Sequence, residues 1–216
     1  MILQNKTEQE NRVWGSFVGR FSLTERQQEQ FLLYLNYLLQ ENKKFNITAI
    51  VDFSTIVNDH FVDSLALSEK FDLKACASLI DVGSGGGLPG IPLKILYPHL
   101  EIVLIEVNLK KANFLEEVAT LLGLDQVEVC DQDWRSFLRG YDKTPDVVVS
   151  RASLAVAELL RMFKPSSMLK GATLVYFASK YFNATQSEAK YLEREEDYSV
   201  DHKLRRLIFF KGIVGE

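Results

Sequence analysis

The stretch Asp81–Gly90, reading D-V-G-S-G-G-G-L-P-G, constrains the fold more than any other part of the chain. It follows the apolar run Ser78–Val82 and precedes Ile91–Leu96, so a buried strand turns sharply into a helix. Glycine at such a turn adopts backbone angles closed to other residues and lets a ligand approach the main chain. The free N–H groups of the following helix start then face the ligand's negative end. Leu88, Pro89 and Pro92 suit a loop that stiffens into a first helical turn, where proline is tolerated. A loop of this kind is expected to hold a nucleotide cofactor.

The rest of the chain supplies the sheet that such a loop needs. Strands are expected at Ser78–Val82, Glu101–Glu106, Gln126–Cys130, Asp146–Ser150, Ala172–Ala178 and Arg205–Lys211. Helices are expected between them at Ile91–Leu96, Leu109–Leu122, Leu154–Phe163 and about Ala184–Glu195. In the second of these, Ala112, Leu115, Val118, Ala119 and Leu122 share a face, and Gly123 supplies a left-handed stop. Alternation of this kind builds a mostly parallel sheet covered on both faces, with the ligand at the C-terminal strand ends. Before residue 75 the pattern is helical. Phe31, Leu32, Leu35, Leu38 and Leu39 define one face of a helix starting at a capping box, Ser22–Glu25 or Thr24–Gln27, and ending at Asn42–Lys44. A second helix is expected over Thr55–Phe71. The expected fold class is therefore α/β, a Rossmann-like sheet with helices on both faces. Residues 1–74 are expected as a helical segment packed on a cofactor domain of residues 75–216.

Composition narrows the function. No apolar run is long enough to span a bilayer, and the polar start MILQNKTEQENR lacks the features of a signal peptide, so a cytoplasmic protein is expected. Cys76 and Cys130 form no C-x-x-C pair, and His60, His99 and His202 show no metal-ligand spacing, so no structural metal is expected. The net charge of −4 opposes binding to naked nucleic acid over the whole surface. Any nucleic-acid contact must come from a local basic patch or from a particle that contributes surface of its own.

The glycine pattern fits two cofactors. Gly85-x-Gly87-x-x-Gly90 satisfies the dinucleotide fingerprint, and Asp81-x-Gly83-x-Gly85-x-Gly87 satisfies the form found in S-adenosylmethionine-dependent methyltransferases. Asp81 favours the second, because a dinucleotide strand usually ends on an apolar residue there. A P-loop is excluded, since Ile91 and Pro92 follow Gly90 where Lys-Ser/Thr is required. Glu106, after the apolar run Ile102–Ile105, stands where a carboxylate accepts ribose hydroxyls.

Several segments in order carry a family likeness: N-K-K-F-N-I-T-A-I at Asn42–Ile50, H-F-V-D-S-L at His60–Leu65, the glycine segment at Asp81–Leu93, Glu106 with Lys110 and Lys111, V-S-R-A at Val149–Ala152, and Lys180. Over roughly residues 25–211 the chain resembles the bacterial 16S rRNA guanine-N7 methyltransferases, also called the glucose-inhibited division protein B family. The resemblance implies a class I methyltransferase fold with S-adenosyl-L-methionine as cofactor. The implied substrate is N7 of one guanine in the 530 loop of 16S rRNA, guanine 527 in standard rRNA numbering. A monomer acting on the 30S subunit or an assembly intermediate is expected, with no membrane partner.

The resemblance also implies roles. Gly83, Ser84, Gly85, Gly87, Leu88, Glu106, Trp134 and Arg135 are the expected cofactor contacts, and Arg151 is expected at both cofactor and target. Asn46, His60, Lys110, Lys111 and Lys180 are expected to contact RNA, although Asn46, His60 and Asp63 would equally serve to tie the helical segment to the sheet. Two positions depart from the family pattern: the pair Trp134-Arg135, and Tyr181 where a glycine commonly follows the lysine. Guanine N7 is an unprotonated acceptor, so methyl transfer to it needs no general base. The lack of an obvious acid–base pair agrees with that. A small-molecule methyltransferase and a nicotinamide oxidoreductase remain the alternatives.

Overall fold

The computed structural model describes residues 6–164 and 166–211. Two helices open it, α1 (Glu8–Phe21) and α2 (Glu25–Asn42), each started by a capping box. In α2 the box is Thr24 with Gln27, one of the two expected. The equivalent Thr7 with Glu10 starts α1, a helix the sequence reading passed over. α2 buries Phe31, Tyr34, Leu35 and Leu38, while Leu32 and Leu39 are half-buried beside them.

The second expected helix begins earlier and is not uniform. It runs as α3 (Phe53–Thr55), a π-helical stretch at Ile56–Val62, α4 (Asp63–Leu65), and a 3₁₀ turn at Ala66–Glu69. π-Helical turns are rare and concentrate at functional sites. Here the widened turns bury Asp59, His60 and Asp63 together.

The sheet contains β1 (Ser78–Val82), β2 (Glu101–Ile105), β3 (Val127–Cys130), β4 (Val147–Arg151), β5 (Thr173–Ser179), β6 (Leu192–Val200) and β7 (Lys203–Lys211). Their spatial order is β3-β2-β1-β4-β5-β7-β6. The first five strands pair in parallel, and β7 lies antiparallel to both β5 and β6. The chain reverses direction from β1, one way through β2 to β3 and the other way to β4. That is a topological switch point, and the strand ends Val82, Ile105 and Arg151 surround it.

The intervening helices are α5 (Gly90–Leu96), α6 (Leu109–Leu121), α7 (Trp134–Gly140), α8 (Val156–Leu160) and α9 (Gln186–Ala189). Three differ from expectation. α7 was not anticipated, though Asp133 caps it by accepting from the Arg135 and Ser136 N–H groups. α8 is shorter than Leu154–Phe163. The helix expected over Ala184–Glu195 is confined to α9, and Leu192–Val200 is instead the edge strand β6. Its alternating exposure and charged outer residues suit an edge, and Arg206 of β7 pairs with both Glu195 and Asp197.

Each sheet face has its own core. Ile80, Val82, Trp134, Phe137, Leu159, Phe163 and Phe210 pack on one side. On the other, Leu79, Leu104, Val149 and Phe209 share one cluster with Phe17, Phe31, Tyr34, Leu38 and Phe61. The N-terminal helices and the sheet are thus joined by a continuous apolar core. Among the described residues no helix is long and apolar enough to cross a membrane, and no cluster of His, Cys, Asp and Glu could hold a metal ion.

Candidate active site

The glycine loop is shaped from beneath by Asp81. This residue is fully buried in β1, and its Oδ2 accepts the Gly90 N–H at 2.8 Å, tying strand to helix start. Burial pushes its carboxyl up to about 7, against the Gly90 hydrogen bond and the Arg151 charge. Asp81 lies under the loop and does not line the cavity. Gly83 has φ +75°, and a Cβ there would stand 2.1 Å from Ser153 Cβ, so both conformation and space require glycine. The N–H groups of Gly83 and Ser84 both donate to the Ile105 carbonyl, at 2.9 and 3.0 Å. From above, the Tyr34 hydroxyl of α2 donates to the Gly86 carbonyl.

Glu106 closes the loop from the side. Its Oε2 accepts the Gly85 N–H at 2.9 Å and its Oε1 accepts the Asn108 N–H at 2.9 Å. Each carboxylate oxygen retains a further lone pair for a ligand.

These elements wall a cavity of about 640 Å³ at the C-terminal ends of β1, β2 and β4. That size is in the range of small-molecule and cofactor sites, about 300–1,000 Å³. Of the expected cofactor residues, Gly83, Ser84, Gly85, Leu88, Glu106, Trp134, Arg135 and Arg151 line it. Gly87 does not. Its α-carbon faces the helices, where a Cβ would meet Ile91 at 2.6 Å and Leu115 at 3.0 Å. Of the expected RNA residues, His60 and Lys111 reach the cavity, while Asn46, Lys110 and Lys180 are exposed outside its lining. Sequence reasoning missed Asp133, Thr48 and Glu158, which also line it. The signal for Asp133 was its position before a helix start. Thr48 lies in the N-I-T-A segment, held by Asn42, whose Oδ1 accepts the Ile47 and Thr48 N–H groups.

One wall is strongly charged. Arg151 Nη1 donates to Asp63 Oδ2 at 2.7 Å and to the Asp59 carbonyl at 3.3 Å. Asp63, 1% exposed, also accepts from the Tyr198 hydroxyl at 2.7 Å and pairs with Arg205 Nε at 3.2 Å. Lys203 pairs with Asp59. His60 Nε2 lies 3.0 Å from Thr48 Oγ1. Burial and the Arg151 charge pull its imidazole down to about 4, so it is neutral near pH 7. The likeness of H-F-V-D-S-L and V-S-R-A to the family thus corresponds to one contact: both ends of the Arg151–Asp63 pair lie in those segments.

The architecture is shared with solved proteins that are remote in sequence. It is similar to a mutant of MtNAS in complex with S-adenosylmethionine (TM-score 0.56, 16% identity, 92% of this chain and 83% of that one). It is also similar to the mitomycin 7-O-methyltransferase MmcR (TM-score 0.55, 13% identity, 92% and 72%). The fold is that of the class I methyltransferases. Closer relatives are found by sequence. The ribosomal RNA small subunit methyltransferase G of onion yellows phytoplasma is 35% identical over 179 residues, 83% of this chain and 84% of that protein. Its namesake from Staphylococcus aureus strain Newman is 35% identical over 170 residues, 78% and 71%. The family described as rRNA small subunit methyltransferase G matches residues 27–210, and the chain belongs to it.

Proposed function

We propose that the chain transfers a methyl group from S-adenosylmethionine to N7 of guanine 527 of 16S rRNA. The observation that carries this reading is the meeting, in one cavity, of the glycine loop, the Glu106 carboxylate and the restrained Arg151 guanidinium. The residues fit the cofactor. Trp134 Nε1 is buried without a partner beside the cavity, and Ile105 and Leu154 give apolar walls suited to an adenine. When bound, the cofactor supplies an electrophilic methyl on a sulfonium: the S–CH₃ bond breaks as the N7–CH₃ bond forms, and the positive charge passes to the base.

The chain's own residues bind, orient and exclude water. Glu106 receives the ribose hydroxyls, and Asp133, Trp134 and Arg135 bracket the adenine. Gly83, Ser84, Gly85 and Leu88 bring the backbone against the rest of the cofactor, with Gly87 shaping the loop. Arg151 contacts the target side. No proton leaves N7, so neutral His60 is not asked to act as a base. Alignment of the methyl with N7 is the source of rate. The helical segment of residues 1–74 and the domain of residues 75–216 act as one unit, because Leu38, Ile47 and Thr48 close the cavity that the sheet opens.

Asn46, His60, Lys110, Lys111 and Lys180 hold the RNA, the exposed lysines at its phosphates. With a net charge of −4, the substrate is the 30S subunit or an assembly intermediate in the cytoplasm, bound by a monomer. Methylation of purified small subunits against protein-free 16S rRNA tests the particle; equal or better activity on short naked RNA removes it. Calorimetry with S-adenosylhomocysteine and NAD tests the cofactor, and binding of NAD alone overturns the reading. Mapping methylated guanines in rRNA from cells with and without the protein tests the site.

A further inference from the structure

We propose that Tyr198 is a positioning residue for methyl transfer, acting through Asp63 to set the direction of the Arg151 guanidinium. The proposal rests on the reading of Arg151 as the residue at the target.

Arg151 uses Nη1 for both of its contacts, the Asp63 carboxylate and the Asp59 carbonyl. Among the described residues nothing hydrogen-bonds to its Nε or Nη2, and Arg151 lines the cavity, so that edge of the fork is available to a ligand there. How the edge points depends on how Asp63 is held. One Asp63 oxygen belongs to Arg151. The other faces two groups, the Tyr198 hydroxyl at 2.7 Å and Arg205 Nε at 3.2 Å. The two are not equivalent. Arg205 Nε makes no aligned hydrogen bond, so it contributes charge without direction. Tyr198, 6% exposed, supplies the one directed bond at that oxygen.

Both anchors come from a single cross-strand pair, since Tyr198 of β6 stands opposite Arg205 of β7. The outer hairpin of the sheet thereby reaches across to the π-helical turn and, through it, to the end of β4. The neighbouring charges, Asp59 with Lys203 and Arg205, fix the same turn. Without the Tyr198 hydroxyl, Asp63 is free to rotate and offer both oxygens to Arg151. The guanidinium then meets the carboxylate with two donors and turns its free edge from the cavity.

The test is Tyr198→Phe, which removes one oxygen and keeps the ring. At saturating S-adenosylmethionine and small subunits, kcat falls about tenfold, the size expected for one hydrogen bond to a buried charge. The affinity for S-adenosylhomocysteine stays within about twofold, which a general loss of structure would not allow. In an Arg151→Lys background the same change lowers kcat less than about twofold, because an ammonium has no fork to orient. An unchanged kcat in Tyr198→Phe, or the same loss in both backgrounds, overturns the proposal. If Tyr198→Phe does not fold, Asp63→Asn, which alters the link between Tyr198 and Arg151, is measured in both backgrounds, with a loss of kcat expected only when Arg151 is present. Wild-type protein that binds S-adenosylhomocysteine but methylates no subunits refutes the functional reading itself, an outcome distinct from failure of the variants.

Discussion

The Gly85 N–H donates to Glu106 Oε2 at 2.9 Å, so the carboxylate that faces the cavity from β2 also fixes the loop that leaves β1. One side chain thus shapes the glycine loop and lines the cavity proposed for the cofactor. Replacing Glu106 by Ala removes both, and affinity for S-adenosylhomocysteine should fall about 100-fold, as for two charge-assisted hydrogen bonds. Glu106→Gln keeps an acceptor for one of the two N–H groups and should lie between. Isothermal calorimetry decides it. Binding within threefold or so of the wild type in Glu106→Ala would falsify the dual role.

Arg151→Ala should abolish most turnover, by about 100-fold or more, while leaving the fold intact. Asp63 would keep Tyr198 and Arg205 as partners, so its buried charge is not orphaned. Single-turnover methylation beside a urea unfolding curve separates the two effects. Near-normal turnover removes Arg151 from the site.

Gly83→Ala combines a φ of +75° with a Cβ placed 2.1 Å from Ser153 Cβ. The conformation alone costs about 1–2 kcal/mol and the overlap a further 1–3. Denaturant unfolding should show a loss of that order. Adding Ser153→Gly, which removes the opposing Cβ, should recover the steric part and leave the conformational part. No recovery would mean that the loop moves rather than clashes.

Two buried groups pull stability in opposite directions with pH. His60 has a folded pKa of about 4 against an ordinary 6.5, so its contribution is lost as pH falls through that window. Asp81 is raised from 3.8 to about 7, so its contribution is present at low pH and lost as pH rises toward 7. The two largely offset in the wild type. Asp81→Asn should expose the His60 slope, with unfolding free energy climbing by about 3 kcal/mol between pH 4 and 6.5. A profile no steeper than the wild type's contradicts the assignment.

Much of this was legible in the residues because local chemistry and tertiary fold agree there. The run S-L-I-D-V gave β1 to the residue, and Thr24 with Gln27 marked the start of α2. Where they disagree, reading failed. Leu192–Val200 carries Glu193, Glu195 and Glu196, residues that favour helix, yet pairing with β7 makes it a strand. Trp134–Gly140 is a short helix whose only sequence mark is its Asp133 cap. Gly83, Glu106 and Arg151 were readable as cavity lining because each sits at a strand end. Tyr198 and Arg205 were not readable, since their partner Asp63 is remote in sequence and only the sheet brings them together.

That remoteness has a consequence for how the protein is made. Asp63 and Tyr198 stand 135 positions apart, and Asp59 and Lys203 stand 144. At about 5–20 residues per second, a translating ribosome delivers Asp59 and Asp63 roughly 7 to 29 s before these partners. By the later part of that interval the nascent chain holds the glycine loop and Arg151, but Asp63 still lacks its Tyr198 anchor. β6 and β7 supply those partners, so a chain that stops short of β6 leaves Asp59 and Asp63 without them.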